Sequence, residues 1–194
     1  KSISIRALIL TSYCVGMSRI FNLLDSDDVL NTLNVLRAIG IKIQKRKDHY
    51  NVHGNGGYFT NPKIKLNFGN SGTGVRLLTG LLSTSKIDAT MIGDVSLSSR
   101  PMDRIINPLK KMNINLESKD GYLPIKVFNT NQIFFPCNHI LELGSAQVKS
   151  SILLASLNIN GETIVVEKVP SRNHTEIMLE YLGAEIKTKN NSIY

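Results

Sequence analysis

Lys1-Ser2-Ile3-Ser4-Ile5-Arg6, Gly69-Asn70-Ser71-Gly72-Thr73-Gly74-Val75-Arg76 and Gly144-Ser145-Ala146-Gln147-Val148-Lys149 are three versions of one phrase. Each is a small polar turn that carries a cation into an apolar, helix-forming run. The first turn of a helix exposes unpaired N–H groups and the positive end of the macrodipole, so such a turn with Lys or Arg beside it is a ready anion site. Three of them imply a ligand with several anionic groups.

The phrase belongs to a longer repeat. Leu36-Arg37-Ala38-Ile39-Gly40-Ile41-Lys42-Ile43, Leu109-Lys110-Lys111-Met112-Asn113-Ile114-Asn115-Leu116 and Leu179-Glu180-Tyr181-Leu182-Gly183-Ala184-Glu185-Ile186 each end a helix and run on into a strand. The leucines at 36, 109 and 179 lie 73 and 70 residues apart, and the cations at 6, 76 and 149 lie 70 and 73 apart. Two independent markers with matching periods identify an internal repeat. Gly40, Asn113 and Gly183 stand where a left-handed residue would close the helix.

The pattern predicts an α/β chain with repeats at about 1–64, 65–130 and 131–194. In the first, helices are expected over 3–13 and from the Ser26-Asp27-Asp28 cap to about 39, with strands at 18–24, 41–44 and 50–53. The second has helices at 74–82 and 102–112 and strands at 89–92, 114–116 and 125–128. In the third, helices at 148–157 and 175–182 flank a strand at 162–167. The chain opens without Met on a polar turn and its last hairpin stops at Tyr194, so both ends read as truncated and 1–194 as one domain of something longer.

With 194 residues, 42% hydrophobic and 20% charged, the chain is long enough for one sizeable core. No apolar run reaches the roughly 18 residues of a membrane span and no leader with a cleavage site precedes the first helix, so no membrane partner is expected and the cytoplasm is the expected compartment. Cys14 and Cys137 lack a CxxC or metal-ligand spacing and read as reduced packing residues. A net charge of +8 fits an anionic partner. The only compact basic run, Gln44-Lys45-Arg46-Lys47, has no aromatic interleaving and reads as a solvated hairpin, so nucleic acid is not the expected partner. His49 and His53 lack a third ligand, and residues 69–74 lack both the Gly-Lys-Ser/Thr ending of a P-loop and the Rossmann glycine spacing. Neither a metal nor a nucleotide cofactor is expected.

Six ordered motifs resemble those of the 5-enolpyruvylshikimate-3-phosphate synthase family. They are the opening 1–10, Asn22-Leu23-Leu24-Asp25-Ser26-Asp27-Asp28-Val29, the 69–76 turn, Gly93-Asp94 with Ser99-Arg100-Pro101-Met102, Ser145-Ala146-Gln147-Val148-Lys149-Ser150, and Ser171-Arg172-Asn173-His174-Thr175-Glu176. The resemblance covers the whole chain. It implies an inside-out α/β domain of three βαβαββ repeats, helices in the centre and sheets outside, paired in the complete monomeric enzyme with a second, similar domain. It also implies transfer of the enolpyruvyl group of phosphoenolpyruvate to the 5-hydroxyl of shikimate 3-phosphate, with release of phosphate and without metal or organic cofactor.

The residue roles follow from the same resemblance. Lys1 is the catalytic cation that meets both substrates. Ser2, Arg6, Ser145, Ala146, Gln147 and Arg172 are similar to the residues that hold shikimate 3-phosphate. Asn70, Gly72 and Arg100, with Gln147, match the phosphoenolpyruvate side. Glycine at 72 leaves room where the backbone approaches the ligand and implies a glyphosate-sensitive type. Arg76 reads instead as a support for its loop, Ser2 and Ser145 can also serve as caps, and Asp27 and Asp28 cap their helix, with a carboxylate there also able to order Lys1. Ile5 and Leu77 depart from the family pattern without removing a charge. The acid and base of proton transfer would come from the second domain, so the isolated chain is expected to turn over little. The enolpyruvyl transferase of UDP-N-acetylglucosamine is the nearest alternative, marked by Lys-Asn at the opening and a reactive loop Cys. A non-catalytic phosphate- or RNA-binding module related to RNA 3′-phosphate cyclase is the other.

Overall fold

The computed structural model describes residues 1–194. Its first unit runs α1 (Ser2–Tyr13), β1 (Val15–Phe21), α2 (Asp27–Ala38), β2 (Lys42–Lys45) and β3 (His49–Asn55). The second runs β4 (Leu66–Asn67), α3 (Gly72–Ser83), β5 (Ala89–Ile92), α4 (Val95–Ser98), α5 (Asp103–Lys111), β6 (Leu116–Lys119) and β7 (Tyr122–Val127). The third runs β8 (Asn138–Leu141), α6 (Ala146–Ser156), β9 (Ile164–Glu167), α7 (His174–Tyr181), β10 (Thr188–Lys189) and β11 (Ser192–Ile193).

Each unit builds its own sheet. The second is ordered β4-β5-β7-β6 and the third β8-β9-β11-β10, each with one parallel pair, β4 with β5 and β8 with β9. The first sheet is β1-β3-β2, wholly antiparallel, with no counterpart of β4 or β8.

The helices divide by burial. In α3 every residue but Arg76 is buried, and in α6 all but Gln147 and Ser156. A helix that is apolar around its circumference must lie inside. By contrast α2 and α5 bury one stripe, Val29, Leu33 and Leu36 in the first and Ile105, Ile106 and Leu109 in the second, and show their charged faces to water. A single cluster of 44 buried hydrophobic residues draws on all three units. Helices α3 and α6 meet at Gly80, where a Cβ would stand 2.1 Å from the Ser151 carbonyl oxygen. Only glycine lets the two backbones approach this closely.

The helix ends expected at Gly40, Asn113 and Gly183 are left-handed, with φ of 95°, 61° and 89°. In each, the next N–H returns to the carbonyl five residues back: Ile41 to Leu36 at 3.0 Å, Ile114 to Leu109 at 3.3 Å and Ala184 to Leu179 at 3.0 Å. This is the Schellman closure, made three times.

Some boundaries differ from expectation. Strand β1 is at Val15–Phe21 rather than 18–24, because Asn22 turns the chain at φ 53°. The two-residue β4, the polar β8 and the single turn α4 carry too little periodicity to be read from sequence. Ser26 occupies the N-cap of α2 in extended conformation, yet its hydroxyl makes no capping bond, and Asp27 and Asp28 serve the first turn by charge alone.

Candidate active site

The three polar turns open the three most buried helices, and side chains of one unit reach the mouth of another. At the α1 mouth Lys1 Nζ lies 2.8 Å from Asp28 Oδ2 of α2. The lysine side chain stays half-exposed, so its ammonium is oriented by one carboxylate and open to a second anion. Ser2 is half-buried, and its carbonyl accepts a hydrogen bond from Arg6 Nη1 at 3.2 Å.

Arg6 lies deeper, 3% exposed. Its Nε donates to Thr175 Oγ1 of α7 at 2.7 Å, and Nη2 to Ser150 Oγ at 2.8 Å and the Ala146 carbonyl at 3.4 Å, both on α6. Together with the bond to Ser2, four of the five guanidinium N–H groups are engaged, leaving one on Nη1. Burial pulls the Arg6 guanidinium below its usual range, the neighbouring positive charge of Arg172 adds to this, and Glu176 opposes it. Arg172 itself is exposed on the turn before α7.

At the α3 mouth Ser71 caps the helix, its hydroxyl accepting from Gly74 N at 3.3 Å. Asn70 is locked from both ends. Its Nδ2 donates to Asp94 Oδ2 at 3.0 Å, and its Oδ1 accepts from Arg100 Nη2 at 2.5 Å. A Cβ on Gly72 would stand 3.2 Å from Arg100 Nη1 and 3.4 Å from Arg76 Nη1. Gly72 therefore lies beneath two guanidinium groups that a methyl would press upon. Burial lowers the Arg76 guanidinium, as do the charges of Arg100 and Arg104.

At the α6 mouth Ser145 accepts from Val148 N at 3.4 Å. Gln147 bridges two units, its Oε1 accepting from Arg76 Nη1 at 2.7 Å while its Nε2 donates to Thr73 Oγ1 at 3.1 Å. Arg76 is thus the loop support that its position suggested. One expectation fails here. Lys149, the third cation of the repeat, faces no ligand: it is 1% exposed, with Nζ 2.7 Å from Glu167 Oε2 and 2.6 Å from Glu176 Oε1. Of the three repeated cations, this one spends its charge wholly on buried carboxylates.

Sequence reading thus brought Lys1, Ser2, Arg6, Asn70, Gly72, Arg100, Ser145, Ala146 and Gln147 to the helix mouths, with Arg172 beside them through its field at Arg6. It missed the supporting shell. Asp94, Thr73, Ser150 and Thr175 all stand inside or beside quoted motifs, and what they hold lies as many as 169 residues away. Three cavities, of about 400, 280 and 350 Å3, lie elsewhere and take in none of these side chains. No group of three or more His, Cys, Asp or Glu side chains is placed to hold a metal ion, and no helix is long and apolar enough to cross a membrane.

A family model described as EPSP synthase (3-phosphoshikimate 1-carboxyvinyltransferase) matches residues 1–194. Among curated proteins, the 3-phosphoshikimate 1-carboxyvinyltransferase of Vesicomyosocius okutanii is 44% identical over the whole chain, which covers 44% of that protein. That of Leuconostoc citreum is also 44% identical, with 100% of this chain and 45% of the relative covered. Among solved structures, EPSP synthase from Acinetobacter baumannii superimposes with a TM-score of 0.94 at 40% identity, covering all of this chain and 44% of that one. The chain thus spans less than half the length of these relatives. By the match along its whole length, it belongs to the EPSP synthase family.

Proposed function

We propose that this chain is one of the two similar domains of a 3-phosphoshikimate 1-carboxyvinyltransferase, an inside-out domain of three βαβαββ-type repeats, the first represented here by αβαββ, whose helix mouths form one wall of the active site. The observation that carries this reading is the interlock of the mouths. Arg6 reaches Ala146, Arg76 reaches Gln147, and Gly72 lies under Arg100 and Arg76. Residues from all three units are held in one place, and cations and N–H groups dominate it.

In this reading shikimate 3-phosphate lies against Lys1, Ser2, Arg6, Ser145, Ala146, Gln147 and Arg172. The buried Arg6 offers its one spare N–H, and the exposed Arg172 supplies the adaptable charge. Phosphoenolpyruvate lies against Lys1, Asn70, Gly72, Arg100 and Gln147. The 5-hydroxyl gives up its proton as its oxygen attacks C2 of phosphoenolpyruvate and C3 takes up a proton. The tetrahedral adduct then loses a C3 proton, and the C2–O bond to phosphate breaks, giving the enolpyruvyl ether and inorganic phosphate. Lys1, oriented by Asp28, neutralises phosphate and carboxylate charge as it shifts between these states. The carboxylates at the mouths, Asp28 and Asp94, are engaged with Lys1 and with Asn70, so the proton-transferring groups come from the second domain.

The reading is tested by titrating the chain with shikimate 3-phosphate, following amide chemical shifts, with UDP-N-acetylglucosamine and inorganic phosphate as controls. Saturable shifts at the α1 and α6 mouths, weakened at least tenfold in Arg172→Ala, are expected. A stronger response to the sugar nucleotide would move the assignment to the rival transferase, and phosphate release from both substrates by this chain alone would overturn the division of labour between domains.

A further inference from the structure

Directly behind the α6 mouth lies a charged cluster that the proposed chemistry does not use. Lys149, Glu167 and Glu176 are 1%, 4% and 6% exposed. They come from three elements, α6, the end of β9 and the first turn of α7, and the ammonium bridges both carboxylates at 2.7 and 2.6 Å. The second oxygen of Glu167 accepts from the Ser171 hydroxyl, on the turn that carries Arg172. The second oxygen of Glu176 is buried without a partner.

One residue along from two of its members, a second layer repeats the connection with hydroxyls. Ser150 follows Lys149 and Thr175 precedes Glu176, and their oxygens lie 2.6 Å apart. Both also accept from Arg6, at 2.8 and 2.7 Å. The spacing between the α6 and α7 mouths is therefore set twice, once by charge and once by hydroxyls, and Arg6 is seated on the second layer. An ion pair this deep loses in desolvation much of what it gains in attraction, so its net contribution to stability is small next to an apolar contact, and what it does impose is a fixed spacing.

We infer that Lys149 is a positioning residue: with Glu167 and Glu176 it fixes the α6–α7 spacing that seats Arg6, and the Ser171–Arg172 turn, for an anionic ligand. The inference rests on the reading of this face as the shikimate 3-phosphate wall, but its first readout needs no ligand. Neutralising the lysine lets the two glutamates part, the Ser150–Thr175 layer opens, and Arg6 loses its two hydroxyl acceptors.

The test compares wild type, Lys149→Met and Lys149→Arg. The arginine Nε–H resonance of Arg6, assigned by its loss in Arg6→Lys, is expected to be resolved and slow to exchange in wild type. In Lys149→Met it broadens into the fast-exchanging set, while Lys149→Arg, which can still bridge two carboxylates, restores it. The dissociation constant for shikimate 3-phosphate is expected to rise at least tenfold in Lys149→Met and to return to within threefold of wild type in Lys149→Arg. A folded Lys149→Met that keeps both the Arg6 resonance and wild-type affinity would overturn the inference. Should Lys149→Met not fold, Glu176→Gln, which leaves the Lys149–Glu167 pair intact, is read in the same way. Wild type that shows the protected resonance yet binds no shikimate 3-phosphate would sink the substrate reading, and the resonance in the variants would still decide the role of Lys149.

Discussion

Arg76 and Lys149 occupy the same place in consecutive units, yet Arg76 lies at the rim against Gln147 and Lys149 is sealed between two glutamates. The numbers 149 and 76 differ by 73, but α5 and α7, whose closing leucines 109 and 179 are 70 apart, set the buried Ile106 where the third unit has Glu176. In the second unit no buried carboxylate stands at that place, and Asp94 is spent on Asn70 and the backbone of Leu97. Arg76 is therefore left free to cross to Gln147. In the first unit the α2 position is Leu33, and Arg6 finds its partners in the third unit instead. A repeat dictates where a cation starts, and its counter-charges decide where it ends.

The sharpest way to break this comparison is to delete both cations in turn. Lys149→Ala leaves two buried carboxylates without a partner and should cost about 3–5 kcal/mol of stability. Arg76→Ala removes two charged hydrogen bonds, to Gln147 and to the Pro101 carbonyl, from a half-buried rim and should cost about 1–2 kcal/mol. Urea denaturation of the two variants gives the difference, and equal costs would mean that the two positions are not distinguished by burial.

The step of 73 also takes His139 of β8 to Leu66 of β4, and both are buried, at 3% and 1%. Burial, with a lesser push from Lys111, lowers the His139 imidazole from 6.5 to about 4. The folded state thus keeps His139 neutral where the unfolded chain takes up a proton. Its share of stability is intact above pH 6.5, is lost as pH falls from 6.5 to about 4, and is flat below that. A shift of this size corresponds to about 3 kcal/mol over that window. His139→Leu, which copies the second unit, should remove that part of the pH dependence in denaturation midpoints measured between pH 7 and 4, and an unchanged slope would show that the imidazole titrates normally.

Two glycines sharpen the comparison at the level of packing. Gly80→Ala forces a methyl against a backbone carbonyl where α3 crosses α6 and should cost about 1–3 kcal/mol by thermal or urea unfolding. Gly72→Ala, at the open mouth, meets only the ends of two flexible arginines and should change stability by less than about 0.5 kcal/mol. Its effect is on ligands: in an enzyme that contains this domain, phosphoenolpyruvate affinity should fall about tenfold, near 1.4 kcal/mol, and inhibition by glyphosate should weaken further. Unchanged inhibition would mean that Arg100 yields without disturbing the site.

Much of this was legible in the chain. The three helix mouths and the Schellman closures at Gly40, Asn113 and Gly183 follow from local residue order, because capping and turn chemistry are decided within a few positions. What could not be read was decided at long range. Lys149 matches Arg6 and Arg76 in spacing, and nothing near it tells that Glu167 and Glu176 will fold over it. The orientation of the Gln147 amide depends on Arg76, 71 residues earlier. Strands β4 and β8 exist because β5 and β9 offer them a parallel edge, not because their own residues insist on extension.

Gly80 sits about two turns below the α3 mouth, and Ser151, whose carbonyl it touches, lies about one turn below the mouth of α6. With a rise of 1.5 Å per residue, the contact is roughly 12 Å from Gly72 and roughly 7 Å from Ala146. It is placed like the pivot of a pair of calipers whose tips are the 69–72 and 144–147 turns. A small opening at the pivot is magnified toward the longer arm, so the gap between Asn70 and Gln147 is gauged by a methyl-free position that no ligand ever meets.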